Sequence, residues 1–497
     1  MPTTTAPADQ AETETARSKR SARRVIAPRH GWPGAGQGRA AHLDPGSTYL
    51  ATSAQACGLY PFMQSAGLPA TGVPMGPNLL TRELVCVDPQ GWVGVLTTNP
   101  GVWIQGDPGT GKSAFCKRLC LGLTAFGHVL VCPGDVKGEY RGLVESLGGQ
   151  VIRIGRGLDR INPLDAGPIG RANRGHWDQA LLAEINGRRT ELLHALLATT
   201  HALGRRPNAS ESAAINAAVR IAAEHNPADP TIPDVIRVLR DPPAEQIEHL
   251  MVRDADAYTD TVRHAVTALE NLCSGPLAGL FDGPTTTELD IDAPAISVDL
   301  KALLTSGDHV VAAGLLACWA HVYSALDTAR AFGLLQRPLV LPLDELWRAL
   351  RAGQGMVDAL DSITRLSRSK GEVSLMATHT LADLDALPDP ADRAKAAGLM
   401  ERCNVLVLAA QSPAELARVA AQKHLTDNER ELVASWASPT STGAEGTGQV
   451  HHGRGKYLLK IGQQVGVPFQ LALTEREKPL YDTDGEIRSR IFPASHL

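Results

Sequence analysis

The chain has 497 residues, 43% hydrophobic and only 4% aromatic, which is long enough for two or three domains with largely aliphatic cores. Its 48 Lys+Arg stand against 53 Asp+Glu, a formal net charge of −5. That balance excludes a uniformly basic nucleic-acid-binding body but leaves room for a local basic surface. The eight cysteines are scattered; Cys116 and Cys120, the closest two, lie one helical turn apart. With no second pair and no His at ligand spacing, they read as reduced, mostly buried thiols rather than a zinc site.

Residues 1–47 are rich in Thr, Ala, Pro and Gly, the composition of a disordered segment. Within them Arg17, Lys19, Arg20, Arg23 and Arg24 form a basic cluster, either a solvated tail or an arm for acidic lipid or nucleic-acid phosphate. Residues 1–10 lack the apolar core of a signal peptide. The longest apolar run, 310–320, is well short of the ~20 residues that span a bilayer, so a soluble, cytoplasmic protein without a transmembrane segment is expected. Residues 48–99 read as a β-rich lead-in with strands at 83–87 and 93–96.

The apolar run 101–105 reads as a buried strand, and apolar residues at helical spacing run from 114 to 123. Between them stand Gly106, Asp107, Pro108, Gly109, Thr110, Gly111, Lys112 and Ser113, with Ala114 opening the helix. This is the G-x-x-x-x-G-K-S phosphate loop of nucleoside triphosphatases. The glycines let backbone N–H groups approach phosphate oxygens. Lys112 supplies a cation to the β/γ-phosphates, and the Ser113 hydroxyl suits Mg²⁺. Strand, loop and helix come in the order that sets phosphates on the positive end of the helix dipole.

A second buried strand, 128–132, leads to Asp135-Val136-Lys137-Gly138-Glu139-Tyr140, and a third is expected at 150–154. Ala/Leu-rich helical periods then dominate 172–274, an all-α insertion with no evident chemistry. The α/β pattern resumes at 295–300, with a helix at 309–331. The run 338–343 ends in Asp344-Glu345. An apolar strand ending in two acids is the magnesium and water-activating strand of a P-loop ATPase: Asp344 holds the Mg²⁺ shell and Glu345 takes a proton from water. Pro342 cannot donate a ladder hydrogen bond, so a bulge is expected there. The strand 373–378 leads to His379, either a γ-phosphate sensor or a surface histidine. A strand at 404–410, capping boxes at Ser412–Glu415 and Thr426–Glu429, and a hairpin at 455–473 complete the pattern.

Taken together, the phosphate loop, Asp135-Val136-Lys137-Gly138-Glu139-Tyr140, Ile161-Asn162-Pro163-Leu164-Asp165, Gly279-Leu280-Phe281-Asp282-Gly283, Leu343-Asp344-Glu345-Leu346-Trp347 and Ala377-Thr378-His379 resemble the large conjugation ATPase of type IV secretion systems. That family belongs to the HerA/FtsK branch of RecA-like P-loop enzymes. The resemblance covers roughly residues 75–485. It implies an α/β, RecA-like P-loop NTPase domain in two parts, 100–171 and 275–497, around the all-α insertion. It further implies ATP and Mg²⁺ as ligands, a homo-hexamer, and other secretion-system subunits as partners at the inner face of the membrane. Carried to this sequence, it assigns nucleotide and magnesium to Lys112 and Ser113, magnesium to Asp344, the catalytic acid to Glu345, and a site-lining role to Glu139. His379 stands where the family usually carries Gln. The arginine that a neighbour supplies in the family's rings corresponds best to Arg365 or Arg368, which also read as ordinary helix-surface charges. Family members usually carry a large N-terminal docking domain, whereas about 100 residues precede this phosphate loop. The expected function is an ATP-hydrolysing motor for assembly or transport, with weak or absent DNA binding. The alternatives are a DNA-pumping coupling ATPase of the same branch and a nucleotide-dependent scaffold.

Overall fold

The computed structural model describes residues 68–167, 179–199, 202–227, 229–250, 252–351, 357, 360, 370–385, 387, 389–437 and 453–481. The basic cluster at 17–24, Cys57, Arg365 and Arg368 lie outside the described residues.

The lead-in forms a two-stranded antiparallel sheet, β1 (Val73–Pro77) and β2 (Leu84–Val87). The strand expected at 93–96 is instead a tight turn. Val95 and Leu96 N–H both donate to Trp92 O, and Gly94 N–H donates to Thr97 O. Gly94 has φ 84°, a conformation that ends alternation before a strand can form.

From β3 (Val102–Gln105) the chain enters α1 (Lys112–Ala125), β4 (Val129–Asp135), α2 (Arg141–Ser146) and β5 (Gln150–Arg153). Among the described residues, β5 is followed by helices alone: α3 (Gln179–Ala198), α4 (Ala209–His225), α5 (Ile232–Arg240), α6 (Ala244–His249) and α7 (Ala255–Leu272). Reciprocal capping boxes start α4, through Asn208 and Glu211, and α5, through Thr231 and Asp234. Then come β6 (Ala295–Asp299), α8 (Asp308–Ala331), β7 (Leu339–Leu343), α9 (Leu346–Arg351), β8 (Val373–Thr378), α10 (Ala382–Asp385) and α11 (Pro390–Arg402). Among the described residues the last elements are β9 (Val405–Leu408), α12 (Pro413–Gln422), α13 (Asp427–Trp436), β10 (Lys456–Ile461), β11 (Val467–Gln470) and α14 (Glu477–Tyr481).

Among the described residues nine strands form one sheet in the order β5-β6-β4-β7-β8-β3-β9-β10-β11. The seven from β5 to β9 run parallel, and β10 and β11 add an antiparallel hairpin. Strand periodicity divides the core. Trp103, Val129, Val131, Leu339 and Leu341 join the insertion and α8 on one face. Val102, Ile104, Leu130, Cys132 and Val340 join α1, α2 and the lead-in on the other. Strands buried on both faces must be apolar throughout.

Three expectations need correction. No bulge marks Pro342: β7 runs in unbroken register with β8, Pro342 opposite Leu375. Pairing of β7 with β4 is confined to Leu339 and Val340, so the proline lies beyond that ladder and no N–H is missed. The irregularity falls instead in β4, between Cys132 and Asp135, where Pro133 and Gly134 intervene. At the start of α12 the capping box is only half made: Ser412 accepts from Glu415 N–H, but the Glu415 side chain turns inward to Gln105 Nε2 and Leu381 N–H. Finally, α8 is, among the described residues, long and apolar enough to cross a membrane, unlike the run of 310–320 alone; it is mostly buried inside the fold, packed on β4 and α3.

Candidate active site

The phosphate loop is the turn between β3 and α1, at the carboxyl end of a central parallel strand. Open α/β sheets bind their ligands at this edge. Gly109 and Gly111 adopt φ 77° and 105°, which an L side chain resists. A Cβ on Gly106 would lie 2.6 Å from the Ala409 Cβ, and one on Gly111 2.6 Å from the Tyr457 hydroxyl. Distant chain segments therefore clamp the loop. Asp107 N–H donates to Ala410 O at 2.9 Å, Gly455 N–H to Thr110 O at 3.0 Å, and the Tyr457 hydroxyl to Gly111 O at 2.7 Å.

Lys112 Nζ donates to Gly106 O at 2.7 Å and Asp107 O at 3.1 Å, and lies 2.8 Å from His379 Nδ1. An ammonium can only donate, so this contact assigns Nδ1 as acceptor and places the ring proton on Nε2. Nε2 faces Glu345 Oε1 at 3.5 Å. His379 thus stands between the phosphate-loop lysine and the acid pair. Burial lowers the Lys112 pKa, and the nearby Asp344 and Glu345 oppose that shift.

Asp344 and Glu345 emerge from β7, one strand removed from β3 across β8. Glu345 has φ 56°. A non-glycine residue in the left-handed region carries backbone strain that must be held by its surroundings. Its carboxylate receives Lys137 Nζ on Oε1 and Trp347 Nε1 on Oε2, the latter at 2.6 Å. Burial works to raise the Glu345 pKa, but the bonds from His379 and Lys137 outweigh it and hold the carboxyl well below its usual range. Asp344 shifts the other way. Burial raises it, and the carboxylates of Glu139 and Glu345 add to the effect, against a hydrogen bond from Ser113 and the charge of Lys112.

The β4 end brings the third group. Asp135 accepts N–H bonds from Glu139 at 3.0 Å and Tyr140 at 2.7 Å, shaping the turn. Burial nevertheless pushes its carboxyl up to about 7. Glu139 lies 3.3 Å from Lys117 Nζ, on the fully buried side of α1, and 3.9 Å from Lys137 Nζ. Sequence-predicted Gly106 to Ala114, Glu139, Asp344, Glu345 and His379 are therefore brought to one sheet edge. Arg368 lies outside the described residues.

No protein-family model matches the chain, and no curated protein matches it. Among solved structures it is similar to VirB4 of Thermoanaerobacter pseudethanolicus, with a TM-score of 0.64 at 20% identity over 83% of this chain and 100% of that one. The fold is that of the RecA-like P-loop ATPases. A more distant likeness is the plasmid coupling protein TrwB in complex with the non-hydrolysable ATP analogue ADPNP, with a TM-score of 0.47 at 12% identity over 76% of this chain and 86% of that one.

Within this VirB4-like fold, several site residues had no role assigned from sequence. Lys137 and Trp347 lie inside the motifs that carry the resemblance, so their place was visible but not their partner, Glu345. Lys117 reads as one more helix lysine; only its position one turn beyond Ser113, facing the sheet, marks it. Tyr457 has no local signal, because its contact with Gly111 spans most of the chain.

Proposed function

We propose that this chain is a Mg²⁺-dependent ATPase, the motor that energises assembly or substrate transport of a conjugative type IV secretion system. The observation that carries the reading is the convergence of Lys112, Ser113, Asp344 and Glu345 at one edge of a VirB4-like sheet. The Ser113 hydroxyl bonded to Asp344 is an all-oxygen donor set, and its carboxylate is crowded by Glu139 and Glu345. Hard oxygens with excess negative charge fit Mg²⁺, which takes one or two protein ligands and completes its shell with phosphate and water. When bound, the ion neutralises charge on the β- and γ-phosphates.

The chain's own residues do the rest. The loop from Gly106 to Ser113, with Ala114, presents backbone N–H groups to the phosphates at the start of α1. Lys112 exchanges its loop carbonyls and His379 for phosphate oxygens. Glu345 accepts the proton of the attacking water. His379, released from Lys112, reports that exchange to Glu345. Glu139 supports the acid pair from β4. In the assembled state the chain is a homo-hexamer, Arg368 reaches the neighbouring site, and the ring works in the cytoplasm, peripheral to the inner membrane with other secretion-system subunits.

Lys112→Ala should abolish nucleotide binding. Glu345→Gln should bind nucleotide and fail to turn it over. Bound nucleotide and phosphate release, measured on both, check the assignment, and full-rate hydrolysis by Glu345→Gln refutes it. Added DNA should leave the ATPase rate unchanged; DNA-stimulated hydrolysis, with tight salt-sensitive DNA binding, replaces the secretion motor with the coupling ATPase.

A further inference from the structure

Lys117, Glu139, Lys137 and Glu345 form a chain of alternating charge across three elements: α1, the turn after β4, and the end of β7. Lys117 is fully buried and lies 3.3 Å from Glu139 Oε2. Glu139 Oε1 lies 3.9 Å from Lys137 Nζ, and Lys137 Nζ donates to Glu345 Oε1. The chain ends on the group that the proposed hydrolysis asks to meet water.

The position of that group is not secured by its own backbone. Glu345 sits at φ 56° in the second residue after β7, and three side-chain torsions separate its carboxylate from the main chain. Lys137 donates to Oε1 and Trp347 Nε1 to Oε2, while His379 Nε2 faces Oε1 at 3.5 Å. Trp347 is only two residues away and moves with Glu345. Lys137 is on the turn after β4 and ties the carboxylate to another part of the sheet. The turn that carries Lys137 is itself fixed by Asp135, which accepts the Glu139 and Tyr140 N–H groups, and by Gly138, whose φ is 69° and whose Cβ position would lie 3.1 Å from Lys301.

We propose that Lys137 is a positioning residue that, braced by Glu139 and the buried Lys117, fixes the Glu345 carboxylate in the orientation from which it meets the attacking water. The inference rests on the ATPase reading above. It assigns Lys137 to the base and not to the phosphates, and the two assignments separate in kinetics. A lysine that binds phosphate contributes to affinity. A lysine that orients the base contributes to turnover, because misplacing a reacting group by about 1 Å costs on the order of 100-fold.

The test compares wild type with Lys137→Met, Lys137→Arg, Glu345→Gln and the double variant Lys137→Met/Glu345→Gln in full-length protein. Lys137→Met should lower kcat about tenfold with KM for ATP within about twofold. Lys137→Arg, which keeps the cation, should recover most of the rate. In the Glu345→Gln background the same Lys137→Met change should lower residual turnover no further. A rise in KM of about fivefold or more, an unchanged or higher kcat, or full additivity with Glu345→Gln overturns the proposal. Urea unfolding of wild type, Lys137→Met, Glu345→Gln and the double variant reads the pair without nucleotide: the stability effects should be non-additive, and additivity there overturns it independently. Absence of any Lys112-dependent hydrolysis in the wild type tells instead against the ATPase reading and leaves the urea cycle to decide the contact.

Discussion

Two of the lysine–glutamate pairs beside this sheet differ in their surroundings. At the hairpin edge, Lys460 donates to Glu429 Oε1 at 2.9 Å, Glu429 Oε2 at 3.0 Å and Gln464 O at 2.8 Å, so all three ammonium protons are used. Glu429 also accepts from Thr426 N–H at 2.8 Å and Gly466 N–H at 2.6 Å. Its side chain is 7% exposed and that of Lys460 2%. The pair ties the capping box of α13 to β10 and leaves no hydrogen-bonding capacity for a ligand. The second pair, Lys137 with Glu345, joins a 41% exposed lysine to a 9% exposed carboxylate, held beside Asp344, Lys112 and His379 on a strained backbone. Satisfied buried ions specify structure, whereas ions held at a cleft with capacity to spare are placed for chemistry.

The largest expected effect lies at the second pair. Glu345→Gln should lower turnover by ~10³-fold while the urea midpoint moves little. The reverse pattern, stability lost and turnover kept, breaks the contrast. Next comes the first pair. Lys460→Met strands a buried carboxylate and should cost about 3 kcal/mol in urea unfolding, with ATP hydrolysis by the still-folded fraction close to wild type.

A smaller effect sharpens the comparison through pH. For Glu429, burial raises the pKa, but the Thr426 and Gly466 N–H groups and Lys460 bring it below its ordinary value. Its stabilisation is present above the unfolded pKa and lost as pH falls through the folded one. Asp135 has the opposite sign. Its folded pKa of about 7 exceeds the unfolded value, so its contribution is full in acid and lost as pH rises towards 7. Relative to Asp135→Asn, the wild type should lose about 2 kcal/mol between pH 5 and pH 7, measured by urea unfolding at each pH. A difference independent of pH removes Asp135 from the comparison. The smallest effect is at the phosphate loop. Tyr457→Phe deletes one hydroxyl bond and should cost about 1 kcal/mol, read as weaker nucleotide binding at nearly unchanged turnover.

The phosphate loop, the acid pair and the alternation of strands with helices were legible because each is local. G-x-x-x-x-G-K-S needs eight consecutive residues, and a strand buried on both faces announces itself as an apolar run. The missed features depend on distant partners or on competition between bonds. Glu415 has the spacing of a capping box, yet Gln105, 310 residues away, takes its side chain. Pro342 is harmless only because the β4 ladder stops at Val340. Residues 93–96 alternate like a strand, but among the described residues no strand pairs with them, and Gly94 turns them back.

The ordering of the sheet also sets a timetable for synthesis. The phosphate-loop strand β3 finds its neighbours in β8 and β9, and the loop itself is clasped by Ala410, Gly455 and Tyr457. A ribosome must therefore add some 350 residues after the loop before its supports exist, and such long-range closure comes late in folding. A nascent chain that already displays Lys112 and Ser113 lacks the clasp that shapes them, so the proposed nucleotide site is completed only when nearly all of the domain has been made.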